Sequence, residues 1–90
     1  MQYEYDPEKS RINKDKHGID FEEAQALWRD AKHIVIDSAY TEEPRSLVIG
    51  NIDGACWVAV VTYRLEAIRI ISCRRARNKE EALYVQKHSY

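Results

Sequence analysis

SLVIGNIDGACWVAVVTY, residues 46–63, alternates apolar and small or polar side chains around Asp53-Gly54, a dipeptide suited to a two-residue hairpin turn. The reading is two antiparallel strands, Ser46–Ile52 and Ala55–Tyr63. A second turn through Arg64–Glu66 leads into a strand over Ile68–Arg75, where Ile68, Ile70 and Ile71 suit a pleated, half-buried surface. On the N-terminal side His33–Asp37 reads as another strand, joined to the hairpin by the polar connection Tyr40–Pro44. Four consecutive strands with short connections make an antiparallel meander.

Helix signals flank this sheet. Gln2–Tyr5 is a short strand, and Asp6-Pro7-Glu8 follows as cap, first helical position and acidic first turn. That helix runs from Glu8 to about Lys16 and stops where Gly18 can turn left-handed. Asp20 and Glu23, at capping-box spacing, open a second helix whose Phe21, Ala24, Leu27 and Trp28 share one face toward the sheet. Asn78, with Glu81 three residues on, reads as the cap of a last helix from about Lys79 to Lys87. Leu83 and Tyr84 fall in its core-facing stripe, and Trp28 and Trp57 read as packing residues. The expected fold class is α+β, an antiparallel meander flanked by helices in the order β-α-α-β-β-β-β-α.

Ninety residues bound the chain to one small domain, 1–90. No apolar run approaches the roughly 20 residues that cross a bilayer. The opening MQYEYDPEKS is acidic without an apolar core, unlike a secretory signal, so the expected location is the cytoplasm, away from membranes. Cys56 and Cys73 form neither a disulfide framework nor a zinc spacing. They read as reduced, packed thiols, with Cys73 near Trp57 and Cys56 on the other face of the sheet.

The net charge of −1 conceals an asymmetry. Residues 1–43 hold six Lys/Arg against eleven Asp/Glu, a balance of −5, whereas residues 44–90 hold eight against four, a balance of +4. From Arg64 to Lys79 there are six cations and one acid, Glu66. A local field of that kind attracts phosphate even on a near-neutral protein.

Three clusters can carry chemistry: Lys14, Lys16 and His17 ending the first helix; Glu43 and Arg45 before the hairpin; and Arg69, Ser72, Arg74 and Arg77 on the last strand and its junction. His17, His33 and His88 lack metal-ligand spacing, no serine sits in a glycine-flanked elbow, and no glycine loop cradles a nucleotide. The expectation is therefore no metal and no cofactor. Lys, His, Glu and Arg together suit attack on an RNA phosphodiester by its own 2′-hydroxyl. That reaction needs a proton acceptor, stabilisation of extra negative charge and protonation of the leaving oxygen. His17 or Glu43 could accept the proton while the arginines hold phosphate. Each residue also has a plain alternative. His17 suits a helix C-terminus, Glu43 and Arg45 a surface ion pair, Arg69 a half-buried pair with an acid, and Ser72 a strand hydroxyl.

Three segments together resemble the BrnT family of bacterial type II toxins: YDPEKSRINKDKHGIDFEEA, EPRSLVIG and IRIISCRRARNKEEALY. The resemblance spans nearly the whole chain. Two departures stand out: Tyr5 occupies the usual tryptophan position of the aromatic-Asp-Pro opening, and Glu81 stands where Arg or Lys is common. The resemblance implies a RelE-like fold and an endoribonuclease that inhibits translation. It also implies a BrnA-type antitoxin with a ribbon-helix-helix part, in a complex expected to be 2:2 and to bind operator DNA. Lys16, His17, Glu43, Arg45, Arg69, Arg74 and Arg77 are then the catalytic candidates, with Lys14, Arg64, Ser72, Arg75 and Lys79 contacting RNA. Two rival readings use the same cations: a non-catalytic nucleic-acid- or antitoxin-binding module, and a degenerate toxin, to which Glu81 points.

Overall fold

A computed structural model describes residues 2–38 and 44–88. The chain runs β1 (Gln2–Glu4), α1 (Pro7–His17), a 3₁₀-helix (Glu23–Arg29), β2 (Ile34–Ser38), β3 (Arg45–Ile52), β4 (Ala55–Arg64), β5 (Ala67–Arg75) and α2 (Asn78–Lys87). Residues 40–43 of the expected connection lie outside the described residues. The five strands form one sheet in the order β1-β5-β4-β3-β2.

The meander is present, since β2 through β5 pair antiparallel in sequence. The sheet as a whole is mixed, however, because β1 joins β5 in parallel, Glu4 beside Arg69. The cause is the route of the chain. α1 and the 3₁₀-helix carry it to the far edge, and four strands walk back until β5 lies beside β1 in the same direction.

Local chemistry accounts for most boundaries. Asp6 Oδ1 accepts the Glu8 and Lys9 N–H groups at 2.9 and 3.4 Å, and Gly18 ends α1 at φ 82°. Asp53 and Gly54 take φ of 50° and 85°, the left-handed pair that a tight hairpin demands. Asp20 and Glu23 cap each other reciprocally, at 2.7 and 3.0 Å, as their spacing predicts. What they open is a 3₁₀-helix rather than an α-helix. Its two fully buried residues, Ala24 and Leu27, stand three apart, so a three-residue turn points both inward. Gly50 permits the approach: a Cβ there would lie 3.1 Å from Leu27 Cδ2.

α2 also departs from expectation. Its cap position is Arg77, one residue before Asn78, and the reciprocal carboxylate is Glu80 rather than Glu81. Glu80 Oε1 accepts the Arg77 N–H at 2.8 Å while Arg74 grips both its oxygens, which fixes where the helix can begin. No α2 residue is fully buried, and of the expected core stripe only Tyr84 packs against the sheet, while Leu83 is 45% exposed. Polar ties hold the helix instead. The half-buried Tyr84 donates its hydroxyl to Asp30 Oδ2 at 2.7 Å, and the His88 ring bonds the Lys32 carbonyl.

The sheet has two unequal faces. One, closed by α1 and the 3₁₀-helix, holds Phe21, Leu27, Val48, Ala59, Val61, Ile68, Ile70 and Cys73. The other, partly covered by α2, holds Ile49, Cys56 and Val58 with Ala76 and Tyr84 against them. Cys56 and Cys73 are free and lie on opposite faces, with Cys73 and Trp57 on the same one, as expected. α1 meets the sheet through buried polar groups: the Ser10 hydroxyl accepts the Phe21 N–H at 2.9 Å, and Asn13 bonds the outer edge of β5. No helix among the described residues is long and apolar enough to cross a membrane.

Candidate functional site

A single irregularity in β5 assembles the site. β4 and β5 pair Val60 with Ser72 and then Val61 with Ile70, leaving Ile71 as an extra residue. Strict alternation would place Arg69 and Ser72 on opposite faces. The bulge reverses the parity, as bulges do when they re-aim side chains. Arg69 pairs with Thr62, Ser72 with Val60 and Arg74 with Val58, so all three lie on the face of Val58.

Across the end of that face farthest from α2 runs a row of polar residues. β1 contributes Glu4 beside Arg69, and Arg69 is beside Thr62. Because Ser46 pairs with Val61, Arg45 sits next to Thr62 on β3. Glu4 Oε1 lies 3.6 Å from Arg69 Nη1 and 3.8 Å from Arg64 Nε. Arg69 is thus half-buried and paired with an acid, one of the alternatives its sequence context offered. Arg45 Nε and Thr62 Oγ1 are buried with no hydrogen-bond partner among the described residues. Leaving such groups unpaired costs about 1–3 kcal/mol each. Beside the row opens a hollow of about 680 Å³ lined by Gln2, Glu4, Arg64, Leu65, Glu66 and Ala67.

Farther along the same face Arg74 is already engaged. It forks onto Glu80 at 2.7 and 2.8 Å, holding that carboxyl below its ordinary value while its own guanidinium is raised. Arg74 stands about 15 Å along β5 from Arg69. Arg75 points to the opposite face, its guanidinium 5.5 Å from the Trp57 ring centroid. Arg77 and Lys79 are exposed at the start of α2, and Arg77 contributes its backbone N–H to the cap.

The α1 cluster lies elsewhere. Lys14 donates to Glu23 at 2.8 Å, and Asn13, one turn before His17, bonds β5 at Cys73 rather than at Arg69. Lys16 and His17 make no side-chain hydrogen bond or ion pair among the described residues, and Glu43 lies outside them. The structure therefore gathers Arg45, Arg64, Arg69, Ser72 and Arg74 on one face and leaves Lys16, His17 and Arg75 apart from them. Glu4 and Thr62 are the residues that sequence reading missed. The alternation of Tyr3 and Tyr5 inward about Glu4 was the one available signal for the first. Among the described residues no three His, Cys, Asp or Glu side chains converge as a metal-binding group.

A family model described as the ribonuclease toxin, BrnT, of a type II toxin–antitoxin system matches residues 5–80. The chain belongs to the BrnT family. No curated protein matches it closely enough to add a named relative. BrnT membership makes it a ribonuclease toxin, which implies RNA as substrate and an antitoxin as partner. The matched stretch contains every arginine of the sheet face and ends at Glu80, whereas Glu4 falls just outside it.

Proposed function

We propose that this BrnT chain is a metal-independent endoribonuclease whose phosphate site is the row Arg45–Thr62–Arg69. Arg45 Nε, buried beside Thr62 Oγ1 and without a hydrogen-bond partner among the described residues, is the observation that carries the reading. The row supplies fork-shaped donors aimed at one strip of surface, which suits the extra negative charge of a five-coordinate phosphorus. Arg64 flanks it and Ser72 continues it toward α2. Cleavage by 2′-hydroxyl attack would inhibit translation by destroying message. Around that activity the reading includes a RelE-like single domain over 1–90, a cytoplasmic setting and a BrnA-type ribbon-helix-helix antitoxin in a 2:2 complex on operator DNA. An antitoxin that presents acidic groups to the arginine face would neutralise the toxin by occupying it.

The test is cleavage of a short RNA by the purified chain in EDTA. Arg45→Ala and Arg69→Ala are each expected to lower kcat/KM by about 10²-fold in chains that still fold and melt cooperatively, as loss of a transition-state donor does. A folded chain that cuts no RNA and does not slow growth on induction overturns the proposal. The binding-module rival predicts instead that these substitutions weaken salt-dependent binding only.

A further inference from the structure

We propose that Glu4 is the general base of this reaction, an assignment that rests on reading the arginine face as a ribonuclease site. Glu4 and Glu80 are the carboxylates in contact with arginines of that face among the described residues. Glu80 is saturated: Oε1 accepts from Arg74 and from the Arg77 N–H, and Oε2 accepts from Arg74. Each of those bonds favours the deprotonated form, so the group resists taking a proton. Glu4 is held by fewer and longer contacts. Its Oε1 is 3.6 and 3.8 Å from guanidinium nitrogens, too far for good hydrogen bonds, and no side-chain hydrogen bond reaches Oε2 among the described residues. The side chain is 40% exposed, so substrate can reach it.

Its position fits the task. Glu4 lies one strand from Arg69, which would hold the phosphate, and it borders the hollow that can receive the attached nucleoside. Among the described residues the charged groups facing it are Arg69 from β5, Arg64 from β4 and Glu66 from the turn between those strands. In the step, Glu4 Oε2 takes the proton of the 2′-hydroxyl and the 2′ oxygen forms a bond to phosphorus. The P–O5′ bond breaks, and the 5′ oxygen leaves with its electron pair and takes a proton from solvent. Glu4 then returns its proton to solvent, leaving a 2′,3′-cyclic phosphate and a 5′-hydroxyl.

The experiment is the pH dependence of kcat/KM on a short RNA in EDTA, for the unaltered chain, Glu4→Gln, Glu4→Asp and Glu43→Gln, with melting curves for each. Glu4→Gln is expected to lose about 10²- to 10⁴-fold. Its profile should also lose the acid-side fall that marks protonation of the base, which a purely structural role would not remove. Glu4→Asp should keep that fall, displaced in pH, with a smaller loss of rate. A Glu4→Gln rate within threefold of the unaltered chain overturns the assignment, as does an acid-side fall that persists in Glu4→Gln or disappears in Glu43→Gln. Should Glu4→Gln fail to fold, an undisplaced fall in Glu4→Asp overturns it equally. If the unaltered chain cuts no RNA, it is the ribonuclease reading that has failed, and the two failures are told apart.

Discussion

Asn13 does on α1 what an apolar residue does on most helices. Its Nδ2 donates to the carbonyls of Ile19 and Cys73, both at 2.8 Å, and its Oδ1 accepts the Cys73 N–H at 3.3 Å. One amide side chain thus completes the edge of β5 beyond the point where β1 stops. Asn13→Ala should cost about 2–3 kcal/mol, because it strands buried backbone groups as well as losing bonds. A lower urea midpoint at unchanged slope would register it. Glu80 yields a pH prediction. Its folded-state acidity is greater than its unfolded acidity, chiefly through the Arg74 hydrogen bonds, so its contribution is complete above the ordinary glutamate range near ~4.3 and fades as pH falls through the folded value. Glu80→Gln is expected to lower stability by about 2 kcal/mol at neutral pH. The gap from the unaltered chain should close below about pH 4 in thermal melts, with the same carboxyl now protonated in both states. Asp30 is a comparable knot. Burial alone would raise its carboxyl, but bonds from Tyr84, Lys32 and Asn51 hold it below its ordinary value, while burial and that same contact push Tyr84 up to about 12.

Elements written in local chemistry were readable in advance, and those set by distant partners were not. The hairpin at Asp53-Gly54, the α1 caps and the Asp20–Glu23 box depend on residues a few positions apart, and each stands where its spacing put it. Gly54→Ala should cost about 1 kcal/mol, since φ of 85° is strained for a residue with a Cβ; a shift in the thermal midpoint measures it. The parallel pairing of β1 depends on the path of the whole chain. The start of α2 depends on Arg74, six residues before Glu80. The bulge at Ile71 leaves no mark in the hydrophobic pattern, because Ile68, Ile70 and Ile71 are interchangeable to the eye. So the arginines of β5 were legible as a group, while their sorting into Arg69 and Arg74 on one face and Arg75 on the other was not. Deleting Ile71 should leave Arg69, Ser72 and Arg74 on one face and Cys73 on the other, because the residue removed is the one without a partner on β4 and regular alternation then joins Ile70 to Ser72. Retained cooperative unfolding by circular dichroism is the expected result.

At the scale of the molecule, charge and packing are divided between the two sheet faces. One is sealed by apolar contacts; the other carries the arginines and is closed by polar ties to α2. A chain of net charge −1 should therefore bind uncleavable 2′-deoxy-substituted RNA with a steep salt dependence. Arg45→Ala is expected to reduce the log–log slope by about 0.7, and Arg75→Ala, stacked on Trp57 at the back, to leave it unchanged; fluorescence anisotropy across a salt series reads both. The two thiols give this division a built-in clock. Cys73 is fully buried in the sealed face, where burial pushes its thiol up to about 12, and Cys56 lies in the cluster against Tyr84 and Ala76, its thiol also raised by burial. Neither is reactive while covered, so an alkylating reagent would label Cys56 each time α2 lifts and Cys73 only when the sheet itself comes apart. The ratio of the two labelling rates would report, residue by residue and without an attached probe, how often the arginine side of the protein breathes while the rest stays folded.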